Sequence, residues 1–575
     1  MYIESVPNRN SPPCILLRES YRQGGKVRKR TLANLTHWPA EVVEALRRAL
    51  RDDTGVQSLE QAVEVVRSRP HGHVAAVLGA LRRCGLERLL SARRCRERDA
   101  VVAMIVARIL DPRSKLATAR GLNGETLSSS LGELLGLQDA DADELYAALD
   151  WLLQRQERIE NALAKRHLVE RTLVLYDVST TYFDGRTCPL ARLGHSHDGK
   201  PHRLQIVFGL LCDRHGCPVA VEVFAGNTSE SKTFVAQIQK VRQRFRVTRV
   251  VWVGDRGMIT QARIEQDLRG VQGLEWITTL RAPQVRALVH SGSLQLSLFD
   301  EQDLAEISDP AYPGERLVAC RNPFLAAERA RKRDELLQAT QKQLDAIVEA
   351  TGRPKRALRG QARIALRVGK VLGRHKMGKH FDLHIADDSF AYELDTEHIA
   401  QEAALDGIYI IRTSVPAQTL NAEDTVRAYK SLSHVEQAFR SCKSIDLHVR
   451  PIFHRLADRV RAHVLVCMLA YYVQWHMRRA LAPLLFDDHD PAAADARRPS
   501  VVAPAQRSAS AQRKARTKRT DDDLPVHSFQ SLLADLATIV KNRIQPTVPG
   551  VPAFDKITLP TPLQARALEL LGVRL

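Results

Sequence analysis

The sequence predicts an α/β fold in which a strand-and-helix catalytic core is interrupted by a large insertion domain and preceded by a helical N-terminal region. Three observations predict it. Two apolar runs, 172–176 and 250–254, lead into Asp177 and Asp255, and each reads as a short buried strand that delivers an acid at its C-terminal end. Strand and helix patterns alternate over 170–280, as an open α/β sheet requires. A third acid, Glu436, sits in a helical stretch 181 residues beyond Asp255. That gap is far longer than one connection needs, so an inserted domain of roughly 281–405 must split the core.

Residues 1–72 read as a hairpin and a helix. The runs 14–17 and 27–32 flank a Gly24-Gly25 turn, and Pro39 opens the helix. Arg18, Arg22, Lys26, Arg28, Lys29 and Arg30 decorate the hairpin. They suit a solvated edge that resists aggregation, and equally a DNA-contacting arm. Residues 73–169 are helical by pattern. The run 101–107 is a buried helix core, and Leu145, Leu149, Leu152 and Leu153 form a stripe. A DNA-binding role fits this region.

The core begins at 170–280 with strands 172–177, 203–212 and 218–225, helix 231–245, strand 249–254, helix 260–269 and strand 274–279. Three successive strands followed by helix, strand, helix and strand is the order of a ribonuclease-H-like fold. Such a core needs one more helix carrying the last acid. The second part, 406–483, supplies it at 423–443, with Asn421 as a good N-cap. Within the insertion, a long helix spans about 325–350 and a strand covers 381–393; residues 352–379 carry ten Lys/Arg and no acid, which favours contact with DNA over mere solvation. Residues 484–525 read as a basic disordered linker, and 526–575 as a helical tail with a Pro-rich end.

The chain has 575 residues, with Lys+Arg 85 against Asp+Glu 66, a formal net charge of +19. That favours a polyanionic partner, because neutralised phosphates release counterions. No lipid-anchor signal or spanning segment is evident, so nucleic acid is the stronger reading. Nine scattered cysteines suit a reducing cytosol. Cys212 and Cys217 bracket a turn and read as strand residues rather than half a zinc site.

Acids at the rim of a sheet lie where ligands bind in open α/β folds. Three of them can hold two divalent ions about 3.5–4 Å apart, an arrangement suited to in-line displacement at phosphorus. Tyr429, Glu436 and Lys443 are seven apart, hence on one face of a helix. Asp184 precedes a glycine and reads as a turn. His195, His197 and His202 form either a polar loop, the preferred reading, or a zinc cluster. His434 reads as surface or DNA-facing.

These residues carry a resemblance. Tyr429-x2-Leu432-x3-Glu436-x6-Lys443 is similar to the Y-(2)-R-(3)-E-(6)-K signature of DDE transposases of bacterial insertion sequences, in the Insertion Sequence Four superfamily. Leu432 stands where that signature has arginine; Arg440, one turn after Glu436, is its candidate substitute. The segments around Tyr176–Phe183, Gly194–Gln205, Gly226–Thr228, Gly254–Met258 and His448–His454 also resemble family blocks, and the likeness covers about 170–480. The resemblance implies that Asp177, Asp255 and Glu436 are catalytic and bind two Mg²⁺ or Mn²⁺ ions. It implies that Tyr429, Lys443 and Arg256 hold DNA phosphates. It further implies double-stranded DNA partners (terminal inverted repeats and target), a homodimer in the DNA complex, no membrane, and a place in the bacterial cytoplasm at the nucleoid. The alternatives are an inactive or domesticated DNA-binding protein, and a ribonuclease-H-like nuclease without strand transfer.

Overall fold

A computed structural model describes residues 1–8, 11–51, 63–126, 128–169, 172–200, 202–300, 302–547 and 552–575. The chain divides into two compact units: Met1–Ala76 with Ala119–Ala140 and Ser531–Leu575, and Val77–Thr118 with Asp141–Gln530. Strands are numbered in chain order.

In the first unit, β1 (Tyr2–Asn8), β2 (Ser11–Gln23) and β3 (Lys26–Asn34) form an antiparallel sheet. The expected hairpin is β2–β3, and its turn puts Gly24 and Gly25 at φ 59° and 77°, values that side chains resist. Its charges are partly matched across strands, with Arg18 on Glu4 at 2.9 Å and Arg30 on Glu19 at 2.7 Å. A second sheet pairs β4 (Val63–Pro70) with β15 (Val540–Pro546), and β15 with β16 (Phe554–Ile557). The tail expected to be helical over 526–575 is therefore only partly so: its first helix ends at Ala537 and the chain turns into a strand. The helix Pro562–Leu571 follows; residues 548–551 of the Pro-rich end lie outside the described residues.

The second unit is built on a mixed sheet of eight strands. Its centre is β5 (Thr172–Tyr182), β6 (Gln205–Cys212), β7 (Pro218–Ala225), β8 (Val250–Val253) and β9 (Leu274–Thr279), in the spatial order β7-β6-β5-β8-β9. The first three strands are antiparallel, while β5, β8 and β9 run parallel. This is the ribonuclease-H-like order. Phe234, on the helix Glu230–Gln239, packs on Tyr176 and Trp252. Phe439, on the helix Leu432–Arg440, packs edge-on to Phe208 of β6 at 5.2 Å. The largely buried helix Ala457–Leu481 packs against β7 and the helices Arg96–Leu110 and Ala142–Leu153.

Four expectations need correction. Asp177 does not end its strand: parallel pairing with β8 stops at Leu175, but β5 continues to Tyr182 against β6. The insertion is not wholly separate. β10 (Leu304–Ile307) and β11 (Arg316–Arg321) extend the main sheet through β14 (Ile408–Thr413), which pairs with β9. Only the helices Pro323–Gly352 and Gln361–His375, with the hairpin β12 (Phe381–Ile385) and β13 (Phe390–Leu394), share a core of their own. The stretch 423–443 is not one helix. It breaks at Ser431 between Ala422–Lys430 and Leu432–Arg440, then widens into a π turn at Ser441–Ile445. Residues 484–525 are not a disordered linker. Lys514 is buried and donates to the carbonyls of Ala482, Leu485 and Asp487 at 2.8–2.9 Å, and Lys430 donates to those of Val501, Val502 and Ala503. Two lysines satisfying six backbone acceptors order a segment that has little apolar pattern.

Candidate active site

Neighbouring residues on a strand point to opposite faces. Tyr176 faces Phe234, so Asp177 faces the other way. In the β5–β6 register Ser179 lies opposite Phe208 and Asp177 opposite Leu210, which puts Asp177 on the face where Phe208 meets Phe439. Glu436 is three residues before Phe439 on the same helix, and so is held toward that face. Asp255 follows β8 by two residues, where its Oδ1 accepts from the amide of Gly257. The three acids thus arrive from a strand, a post-strand turn and a helix.

Asp177 is half-buried, whereas Asp255 and Glu436 are exposed. Burial pushes the Asp177 carboxyl up to about 7, partly offset by the Val178 amide that donates to it at 2.8 Å; the negative charges of Asp255, Glu230 and Glu436 push it further up. The carboxylates are near enough to repel one another, yet they are not a closed cage. Among the described residues, the triple with ligand atoms all within 4.8 Å of one another is His167, Cys217 and His476. An open set of hard oxygen donors under mutual repulsion suits divalent cations that would relieve that charge.

Tyr429 is largely enclosed, its hydroxyl 3.2 Å from Thr279 Oγ1, and burial raises its pKa with Asp255 and Glu436 adding to the shift. Lys443 is ion-paired with Asp198 at 3.0 Å, and burial lowers its pKa despite that partner and nearby Asp177. Arg256 is exposed next to Asp255 and lines a cavity of about 510 Å³ with Arg286, Arg329 and Lys332. Arg440 is exposed at the end of the Glu436 helix.

Several neighbours were not singled out in the sequence. Glu230, in the first turn of its helix, crowds Gly257 from the same side as Asp255 and pairs with His197 at 2.9 Å. That pair raises the His197 pKa and lowers that of Glu230. Arg450 lies 3.8 Å from Asp198 and 3.9 Å over the Tyr182 ring. An acid in a first helical turn looks like an ordinary dipole partner, so only the fold distinguishes Glu230. Asp184 is a loop anchor as expected, accepting from the Ile452 amide at 3.2 Å. His434 is exposed, as expected of a surface position, with its Cβ beside Gly216 at the β6–β7 turn. Cys217 is buried 3.9 Å from His167.

A ribonuclease-H-like sheet carrying an acid on its central strand, another after the adjacent strand and a third on the following helix defines a class of metal-dependent phosphoryl transferases. Residues 178–473 match the family described as Transposase DDE domain, and residues 3–58 match the IS1634 family transposase, N-terminal domain. The chain belongs to the DDE transposase family, enzymes that use divalent metal to cleave and join DNA. Among solved structures it is similar to a piggyBac transposase in a synaptic complex with hairpin DNA (TM-score 0.33, 10% identity, 70% of this chain and 71% of that one). Among curated proteins there is no match. No helix among the described residues is long and apolar enough to cross a membrane.

Proposed function

We propose that this transposase cuts the terminal inverted repeats of a bacterial insertion sequence and joins them to target DNA at the site made by Asp177, Asp255 and Glu436. What supports the reading is that the three acids come from three separate elements and that the negative charges of Asp255 and Glu436 act on Asp177. They would hold two Mg²⁺ or Mn²⁺ ions, which when bound activate a water or 3′-hydroxyl and steady the leaving oxygen. Asp177 is the most enclosed of the three acids. Tyr429 and Arg256 border the cluster and would orient the phosphate to be cut. Lys443 would reach DNA by exchanging Asp198 for a phosphate oxygen. Arg440 offers an exposed guanidinium on the Glu436 helix, in place of the arginine that Leu432 replaces.

The surface supports DNA as partner. On the helix Gln361–His375, Arg363, Arg367, Lys370 and Arg374 are all exposed at helical spacing, on a different side from the buried Ile364 and Val368. Such a stripe can follow a phosphate backbone. The enzyme would work in the cytoplasm on nucleoid DNA.

The test is metal-dependent cleavage of DNA carrying the element's ends, using Asp255→Asn and Glu436→Gln. Each change removes one negative charge and keeps the shape. Cleavage is expected to fall by at least ~10³-fold while end binding persists, since ligation supplies transition-state stabilisation. Cleavage at the wild-type rate in either variant would overturn the assignment.

A further inference from the structure

A second cavity, of about 480 Å³, shares Arg450 with the acid site. Arg108, Arg113, Lys115, Arg450, Arg455 and Arg459 line it, and among the described residues no acid does. Three of these cations have an acid partner outside the cavity: Arg113 has Asp111 at 2.6 Å, Arg459 has Asp150 at 3.4 Å and Arg450 has Asp198 at 3.8 Å. The two deepest are not. Lys115 is 5% exposed and Arg108 7%. Lys115 Nζ donates to His463 Nδ1 at 2.8 Å. That nitrogen must be the acceptor, because Nε2–H of His463 donates to the Val449 carbonyl at 2.9 Å. Arg108 donates to the carbonyls of His448 and Arg113, and its Nε, like that of Arg459, has no partner among the described residues.

Buried cations without a counter-ion are costly. Burial, with Arg108 nearby, accordingly pushes Lys115 down to about 7. An anion entering the cavity would remove that cost. The mouth adds apolar surface: Phe453 is 65% exposed and Leu456 56%, beside Tyr146 and His454. Cations at the bottom and an exposed aromatic ring at the rim match a phosphate joined to a flat base, and the volume is that of a small-molecule site.

We infer that this cavity binds a nucleotide unit, its phosphate on Lys115, Arg108 and Arg455 and its base against Phe453. The unit is either part of the DNA engaged at the acid site or a free nucleotide. The DNA-borne form rests on the transposase reading above.

The experiment compares wild type with Phe453→Ala/Arg455→Ala, both exposed positions whose loss leaves the core intact, and with Lys115→Met. Calorimetric titration uses thymidine monophosphate as probe and thymidine as the phosphate-free control. Photo-crosslinking uses an end duplex substituted with 5-iododeoxyuridine near the cleavage point. Binding of the monophosphate but not thymidine, weakened at least tenfold in both variants, supports a free-nucleotide site. A crosslink to Phe453 without monophosphate binding supports the DNA-borne unit. Neither binding nor crosslink, or either one unchanged in the variants, overturns the inference. Cleavage by wild type and Glu436→Gln is measured in parallel. A silent cavity beside metal-dependent, Glu436-dependent cleavage sinks only the cavity proposal; nucleotide binding without such cleavage sinks only the transposase reading.

Discussion

Glu230 sets a limit on what charge alone says about the acid site. It borders Asp255 at Gly257 and adds to the field on Asp177, yet its carboxylate is already engaged by His197. The pair with His197 occupies one carboxylate oxygen, Oε1, so Glu230 is better placed to orient His197 than to bind an ion. Glu230→Gln is therefore expected to slow metal-dependent cleavage about tenfold at most, against at least ~10³-fold for Glu436→Gln. Equal losses in the two variants, measured side by side, would make Glu230 a ligand. Lys115 yields a different residue-level prediction. Its pKa is lowered from 10.5 to about 7 in the fold. Between those values the unfolded chain holds a proton that the folded chain does not, so stability rises with pH across this window and is lowest below pH 7. The neighbouring His454 and His463, whose pKa values burial lowers, gain no charge as pH rises, so they do not oppose the trend. Lys115→Met should remove this slope and stabilise the protein at neutral pH, by an amount on the order of a few kcal/mol. Urea unfolding at pH 7.5 and 9.5 checks it. A wild-type midpoint that does not rise relative to the variant would show that Lys115 stays charged.

The helix Leu432–Arg440 links packing to chemistry, because Phe439 fixes the side that carries Glu436. Phe439→Ala is expected to cost about 3–5 kcal/mol of stability and to lower cleavage even where the protein remains folded. Unchanged cleavage at a temperature where folding is complete would show that Glu436 is held by other contacts. The Gln361–His375 helix makes a binding prediction. Replacing Arg363, Arg367, Lys370 and Arg374 with alanine should flatten the slope of log affinity against log salt by about 0.9 for each phosphate no longer neutralised. An unchanged slope would mark the stripe as merely solvated. At this scale the sequence was legible where apolar runs ended in turns: β6 to β9 lie within two or three residues of their expected places. It was not legible where pairing was distant. The strand is expected to end at Asp177 because the polar Ser179, Thr180 and Thr181 extend no apolar run, and only β6 alongside continues it. The strands β10 and β11 join the sheet through β14, about a hundred residues later, so no local pattern reveals them. The break at Ser431 likewise escaped a seven-residue spacing that assumed one straight helix. At the candidate site, the elements that carry the three acids were legible from strand and helix patterns, but Glu230 and the Asp198–Lys443–Arg450 cluster depend on loops brought together by the fold.

Across the whole molecule, one chain supplies one proposed set of catalytic acids, Asp177, Asp255 and Glu436, while an element has two ends. Concerted cutting of both ends therefore calls for two copies. The net charge of +19 opposes their association in the absence of DNA, because like-charged chains repel. Bound phosphate reverses that balance by neutralising the cations that face the duplex. The basic residues are also distributed for contact with more than one segment of DNA: the β2–β3 hairpin belongs to the first unit, and the Gln361–His375 stripe to the second. A chain that cuts one end with its own acids can thus offer cations to the end cut by its partner. The expected outcome is a protein that is monomeric at low concentration and dimeric on paired end DNA, with two chains and two duplexes in the complex. Mass photometry of the assembled complex reads this directly. Mixing wild type with Glu436→Gln gives the functional counterpart: complexes holding one active chain should cut one end and leave the other intact. A single-chain complex that cleaves and joins both ends would overturn the dimer. So would double-end cutting by mixed complexes, which would require one acid cluster to serve both ends in turn.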